Sequence, residues 1–434
     1  MPTLKYSEIL DYIYTKLPMF QRSGPAAYKN NLDNTILLDN YYGNPHRKFR
    51  SLHVTGTNGK GSVSHMLAAV FQKAGYKTGL YTSPHLKDFR ERIRINGEMV
   101  PREFVVDWID KFRMDNEQWK IEPSFFELTV IMAFDYFARE KVDMAIVEVG
   151  LGGRLDSTNI ITPELSVITN IGLDHTSHLG ETIEKIAFEK AGIIKPGVPV
   201  VIGTTQAETR PVFEKVASQK EADIYFADQE YSVPYSMRDL DGKQVMTVLQ
   251  NGKNVYPQLK LDLMGLYQRK NLPAVLKSVE LLRKRGWQIS DEVLYEALAN
   301  IMSVTGLQGR WQILGANPMI VCDTGHNFDG ITEVMEQIKQ TPYKKLHVVF
   351  GMVNDKDPDK VLGLLPSDAV YYFTKSSIPR ALNENILTEM AAGFGLAGCC
   401  YPSVGEAFDA AKQNAAREDL IYVGGSTFVV AEIL

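Results

Sequence analysis

Ser51-Leu52-His53-Val54-Thr55-Gly56-Thr57-Asn58-Gly59-Lys60-Gly61-Ser62 is the stretch on which the fold turns. Its first five residues read as a short strand, and from Val63 to Ala74 the apolar period becomes helical, with Gly75 as a stop. A strand–glycine loop–helix unit has a physical use. Glycines let backbone N–H groups turn inward to cradle phosphates. The following helix brings the positive end of its dipole to the same place. Lys60 can reach the outer phosphates of a nucleotide, and Ser62 can help place a metal-bound phosphate. Gly56, Thr57, Asn58, Gly59 and Gly61 supply the loop backbone. The pattern departs from the common phosphate loop, because Val54 stands where G-x-x-x-x-G-K has its first glycine and Gly61 intervenes before Ser62. A βα turn without a ligand is the competing reading. It leaves the lysine after the glycine and the serine at the helix start unexplained.

Working outward, strands and helices alternate. Tyr6 to Leu17 has helical spacing that Pro18 ends, and Gln21–Asn34 reads as a polar loop. Lys77–Tyr81, Met144–Val149, Ser166–Ile171 and Val198–Ile202 read as buried strands, with helical periods around Phe104–Phe112 and Phe126–Arg139. Such alternation implies a mostly parallel sheet. Between about Ala222 and Leu261 the turn signals Asp241-Gly242-Lys243 and Asn251-Gly252-Lys253 separate short β-like runs, a small antiparallel insertion. Asn271 to Arg285 is helical again. After Gly309 the alternation restarts, with strands at Met319–Cys322, Leu346–Phe350, Ala369–Phe373 and Leu420–Val423. The expectation is an α/β protein with a phosphate-loop, mononucleotide-binding domain at 1–303, a linker at 304–309 and a Rossmann-like α/β domain at 310–434. At about 150 residues per domain, the 434 residues allow two domains, each able to bury its own core.

Composition removes several classes. The net charge is −5 with charges mixed along the chain, so no nucleic-acid footprint is expected. Cys322, Cys399 and Cys400 make neither a disulfide framework nor a zinc pair, which fits a reducing compartment. The first ten residues carry Lys5 and Glu8 and lack a long apolar core, so no secretory signal is expected. No apolar run reaches the roughly 18 residues of a membrane span, so no membrane partner is expected and the cytoplasm is the expected location.

Two further residues stand out on pattern alone. Glu148 ends the apolar strand Met144-Ala145-Ile146-Val147-Glu148, and carboxyl ends of parallel strands face the ligand crevice. A carboxylate there can hold Mg²⁺ against phosphates; a solvated strand end is the alternative. His175 follows the strand Ser166–Ile171 closely, where a ligand role and a structural one are about equally open.

Several strings point the same way. Val54 to Ser62 resembles the nucleotide loop of the Mur ligase superfamily, and specifically of folylpolyglutamate synthase/dihydrofolate synthase. Tyr81-Thr82-Ser83-Pro84-His85-Leu86, Glu91-Arg92-Ile93-Arg94-Ile95-Asn96-Gly97 and Phe126-Glu127-Leu128-Thr129 resemble signatures of the same family. So do Glu148 to Asp156, Thr169 to His175, Glu189-Lys190-Ala191-Gly192, Asp323-Thr324-Gly325-His326-Asn327 and Phe350 to Asp357, in family order. The string set spans most of the chain, so the resemblance rests on many motifs at once. Only about 50 residues precede Gly56, fewer than the extra nucleotide-sugar domain of the cell-wall ligases would need.

The resemblance implies the rest. ATP would be held by Gly56–Ser62, Asn271, Arg310, Asp323 and His326. Ser83 and Glu148 would bind one Mg²⁺, and His175 a second. Lys190, on pattern alone a solvated helix lysine, corresponds to a lysine that CO₂ carbamylates into an anion beside the second metal. Phe126 is an aromatic that could stack on the pterin ring, with a core helix aromatic an equally open reading; Arg154, Leu155 and Asp156 would contribute to the pterin pocket, and Arg380 would hold a glutamate carboxylate. The implied reaction activates a folate or dihydropteroate carboxylate as an acyl phosphate, which the amine of L-glutamate then attacks. Lys60, His175, Lys190 and Arg310 are its expected catalytic residues, with Arg310 closing on the phosphates as the domains approach. Asp323 and His326 are the candidates for the base that frees the amine. A monomer is implied as well. Two positions depart from the family: Tyr267 replaces a frequent His, and Gln308 a frequent Pro before Gly309-Arg310. The alternatives are a Mur-type amino-acid ligase acting on another acid, and a nucleotide-binding ATPase with no ligase activity.

Overall fold

The computed structural model describes residues 5–19, 31–354 and 357–434. Most of the expected loop Gln21–Asn34, and Asp355 and Lys356 of the last motif, lie outside the described residues. The chain divides into two compact units. The first comprises Met1–Asp262 and Gln268–Gly306, and the second Leu263–Tyr267 and Leu307–Leu434. The chain therefore lends five residues to the second unit before returning for the helix Gln268–Lys284.

The first unit is built on an eight-stranded sheet. Its strands are β1 (Arg50–Thr55), β2 (Thr78–Tyr81), β3 (Ile93–Ile95), β4 (Glu98–Met99), β5 (Met144–Glu148), β6 (Leu165–Ile168), β7 (Val200–Ile202) and β8 (Ile224–Phe226). They lie in the order β4-β3-β2-β5-β1-β6-β7-β8. The six from β2 to β8 run parallel, and the hairpin β3–β4 closes one edge antiparallel. β1 and β5 are buried along nearly their whole length, as strands covered on both faces must be. Beyond β8 a three-stranded antiparallel sheet, β9 (Tyr231–Arg238), β10 (Gln244–Gln250) and β11 (Lys253–Leu261), forms the expected insertion.

Helix Lys60–Lys73 is buried from Ser62 to Phe71, so it reads as apolar nearly all round rather than amphipathic. Helix Phe125–Glu140 starts at a reciprocal cap. The Ser124 hydroxyl accepts from Glu127 N at 3.2 Å, and the Glu127 carboxylate accepts from Ser124 N at 2.6 Å. Its inner face packs Phe134 and Phe137 against Phe49, with ring centroids 5.6 and 5.8 Å apart. The ring of Phe137 also lies over Gly79 of β2, within 3.1 Å of any Cβ placed there, so the close helix–sheet approach requires that glycine.

The second unit has a six-stranded mixed sheet. Its strands are β12 (Gln312–Ala316), β13 (Met319–Cys322), β14 (Leu346–Phe350), β15 (Val370–Thr374), β16 (Gly398–Tyr401) and β17 (Leu420–Gly424). The order is β12-β13-β17-β14-β15-β16, parallel except for β12. The two edge strands, β12 and β16, are absent from the sequence reading. Helix Ile301–Thr305 occupies the start of the stretch expected as linker, and Gly306 ends it with φ +71°. Among the described residues no helix is long and apolar enough to cross a membrane.

Phe134 is fully buried in the core that carries β2 and β5. Phe134→Ala is expected to cost about 3–5 kcal/mol of stability, read as a lower urea midpoint for the first unit. An unchanged midpoint would mean that the helix does not clamp the sheet.

Candidate active site

Four adjacent strands, β2-β5-β1-β6, end at one edge of the first sheet. Ser83 follows β2, Glu148 ends β5, Gly56–Gly59 follow β1, and Thr169–His175 follow β6. Parallel strands send their carboxyl ends to the same side, so the sheet order alone gathers these residues.

The phosphate loop is braced by its neighbours. Thr57 N donates to Asn170 O at 2.9 Å, and Asn58 N to Asn170 Oδ1 at 2.8 Å. The Thr169 hydroxyl donates to Asn58 O at 2.5 Å. Gly56 has φ +153°, and a Cβ on it would stand 1.8 Å from that same hydroxyl. Gly59 has φ +84°, and a Cβ there would meet the Asn271 amide oxygen at 2.3 Å. Both glycines are thus required by conformation and by space. Asn271 donates to Gln268 Oε1 at 2.8 Å, and Gln268 in turn donates to the Ser62 hydroxyl at 3.1 Å. Asn271 therefore lies against the phosphate loop. Sequence reasoning missed Thr169, Asn170 and Gln268 as braces. The Thr169-Asn170 pair sat in a quoted motif, but only the β1–β6 adjacency gives it a partner.

Two lysines converge on one carbonyl. Lys60 Nζ donates to Gly56 O at 2.9 Å and Thr57 O at 3.2 Å, and Lys190 Nζ donates to Gly56 O at 2.8 Å. Lys190 is buried, not the solvated helix residue its local pattern suggested. Burial first, and then the charge of Lys60, hold its ammonium well below the ordinary lysine range. That depression favours the neutral amine, the form that reacts with CO₂.

Glu148 is buried and accepts from Ser83 N at 3.1 Å, which brings the two proposed metal residues together. His175 has φ +51°, and its Nε2 stands 3.9 Å from Asp174 Oδ1. Among the described residues no group of three His, Cys, Asp or Glu side chains forms a ready metal cage. The Ser83 hydroxyl and the Glu148 carboxylate are oxygen donors of the kind Mg²⁺ takes, one or two at a time, beside phosphate and water. The donor set fits.

The proposed pterin residues divide. The Phe126 ring lies over Gly150, where a Cβ would come within 2.4 Å of it, and edges Tyr81 at 6.1 Å. Arg154 is exposed, bonds Glu189 Oε1 through Nη2 at 2.9 Å and lies beside Phe188, while Leu155 is half-buried. Asp156 behaves differently from a ligand contact. It is buried, and its carboxylate accepts from Leu151 N at 2.9 Å, Thr158 N at 3.0 Å and the Thr158 hydroxyl at 2.5 Å. It organises the loop that follows Glu148.

The second unit carries its own cluster. Arg310 reaches the Thr324 hydroxyl and Gly309 O. Asp323 Oδ2 accepts from Trp311 N at 2.7 Å and from the Tyr267 hydroxyl at 2.6 Å, and Oδ1 from Gly325 N at 2.7 Å. His326 Nδ1 lies 3.0 Å from Thr324 O, and the Asn327 side chain caps helix Phe328–Gln340. Arg380 lies over the Phe428 ring at 5.7 Å.

Residues 54–279 match the Mur ligase middle domain, and residues 309–427 match the Mur ligase, glutamate ligase domain. The chain is 34% identical to the folylpolyglutamate synthase of Lacticaseibacillus casei over 88% of each chain. It is 31% identical to the probable bifunctional folylpolyglutamate synthase/dihydropteroate synthase of Haloferax volcanii, covering 99% of this chain but spanning half of that longer protein. Among solved structures, Mycobacterium tuberculosis folylpolyglutamate synthase complexed with ADP superposes with a TM-score of 0.87, at 29% identity, covering 99% of this chain and 98% of that one. E. coli FolC in complex with DHPP and ADP superposes at 0.85, with 28% identity and coverage of 99% and 97%. The fold and site define a Mur-type, ATP-dependent ligase. The chain belongs to the folylpolyglutamate synthase/dihydrofolate synthase family.

Gly59→Ala is expected to weaken ATP binding by about tenfold or more, since it combines left-handed strain with a collision on Asn271. Equilibrium binding of a fluorescent nucleotide measures it. An unchanged Kd would remove this loop from the nucleotide site.

Proposed function

We propose that this chain joins L-glutamate to the carboxylate of a folate or dihydropteroate, consuming ATP and releasing ADP and phosphate. The observation that carries the reading is the gathering of the phosphate loop, the Ser83–Glu148 pair and buried Lys190 at one sheet edge. The acceptor carboxylate attacks the γ-phosphorus, ADP leaves, and an acyl phosphate forms. The glutamate amine then attacks the acyl carbon and phosphate departs. No protein nucleophile is needed, so the residues act by position and charge.

Lys60 sits where it can leave the loop carbonyls for a phosphate oxygen, and Arg310 supplies a second cation. Gly56–Ser62, Asn271, Asp323 and His326 bind the nucleotide in this reading. Ser83 and Glu148 would hold one Mg²⁺ and His175 with carbamylated Lys190 a second; the ions would offset phosphate charge. Phe126, Arg154 and Leu155 face the pterin acid, with Asp156 holding their loop, and Arg380 takes a glutamate carboxylate. Asp323 is a poor base, because both its oxygens already accept protein donors. That leaves His326 as the candidate. The same reading makes the enzyme a cytoplasmic monomer.

Phosphate release with ATP, Mg²⁺ and glutamate, comparing dihydropteroate with tetrahydrofolate, is the direct test. Turnover with both acceptors is expected. Turnover with tetrahydrofolate alone would restrict the enzyme to chain extension. Turnover with neither, in protein that binds ATP, would move the assignment to a Mur-type ligase of another acid. Phosphate release indifferent to acceptor and glutamate would instead indicate an ATPase.

Carbamylation has its own readout. Enzyme equilibrated with ¹³C-bicarbonate should show a carbamate carbonyl resonance that Lys190→Met removes, and CO₂-depleted enzyme should regain activity when bicarbonate returns. The same resonance persisting in Lys190→Met would place the modification elsewhere.

A further inference from the structure

Tyr267 departs from the family pattern and has no role in the ligase reading. It ends Leu263–Tyr267, the five residues that the chain gives to the second unit. That segment is fixed there by two reciprocal bonds: Leu266 N donates to Gln337 Oε1 at 2.7 Å, and Gln337 Nε2 to Met264 O at 2.8 Å. The Tyr267 ring folds back over Gly265, where a Cβ would lie 2.5 Å from the ring and 2.9 Å from the hydroxyl. The hydroxyl then donates to Asp323 Oδ2 at 2.6 Å. Burial and the neighbouring carboxylate raise the phenol well above its ordinary range, so it stays a donor.

The same oxygen accepts Trp311 N at 2.7 Å. Trp311 has φ +42°, a conformation that a bulky residue holds only when its surroundings enforce it. Arg310 immediately precedes it, and Thr324 N closes the loop on Gly309 O at 3.0 Å. Asp323 is therefore the pin of the Arg310 loop, and two donors share one of its oxygens. Without the phenol, that buried carboxylate keeps fewer donors and loses a bond that fixes its orientation, so Trp311 N faces an acceptor less firmly held.

We propose that Tyr267 is a positioning residue. Through Asp323 it holds Trp311 in its left-handed conformation and so fixes the backbone that carries Arg310. The catalytic part of this inference rests on the ligase reading; the structural part does not.

The experiment compares wild type with Tyr267→Phe by amide hydrogen exchange and by kinetics. Faster exchange at the Trp311 and Gly325 amides is expected, with kcat lower by about tenfold and the acceptor KM within about twofold. p-Aminophenylalanine at 267, which keeps the ring and restores an N–H donor, should recover both; a packing role would leave Tyr267→Phe active without it. Gly265→Ala, which pushes the ring off its seat, should reproduce the Phe phenotype. Unchanged exchange at Trp311 in Tyr267→Phe overturns the proposal. Faster exchange with unchanged kcat, or no recovery with the amino analogue, does so too. Wild type that binds ATP but ligates neither acceptor counts against the ligase reading instead, and the exchange comparison still decides whether Tyr267 pins the loop.

Discussion

The contact between Gly56 and Thr169 constrains the first unit's site. With φ +153° and a threonine hydroxyl where its side chain would be, Gly56 locks the end of β1 to the end of β6. Thr57 and Asn58 then bond Asn170, and the loop's path is settled before any ligand arrives. The Gly56 carbonyl, turned by the same conformation, receives both Lys60 and Lys190. Loop shape, inter-strand adjacency and the placement of two cations are one problem solved at one residue.

The central strands and the phosphate loop were legible because physics leaves a period there. β5, β14 and β17 are buried on both faces and read as nearly continuous apolar runs, and β1, buried after Arg50, is marked by the glycine loop that follows it. The edges were not. β12 is half-exposed and carries Gly315, and β16 is the exposed Gly398-Cys399-Cys400-Tyr401, so neither shows apolar alternation. The β3–β4 hairpin appeared in the sequence only as a motif, because its Arg94 and Glu98 face away from the core.

Within the site, residue type at a strand end was enough for Lys60 and Glu148. It was not enough where the role depends on a distant partner. Asp156 is buried and accepts three donors of its own loop, a role that its place in a motif does not reveal. Lys190 looked solvated on its helix because its partner, the Gly56 carbonyl, lies 134 residues away in the sequence. Nothing in Leu263-Met264-Gly265-Leu266-Tyr267 itself says which unit receives it, because the partners that fix it, such as Gln337, lie about 70 residues further on.

The electrostatics of the loop explain why such a site favours phosphate chemistry without a nucleophile of its own. Two ammonium groups on one carbonyl raise each other's cost, and burial adds to it at Lys190. Asp174 and Asp156 act in the opposite sense on Lys190 but more weakly. A multiply charged phosphate would relieve the repulsion at Lys60, and conversion of Lys190 to an anion would remove it at its source. The second change turns a mutual repulsion into attraction across the same carbonyl. In the proposed ligase reading, binding of anionic substrate and modification of Lys190 would be coupled through Gly56.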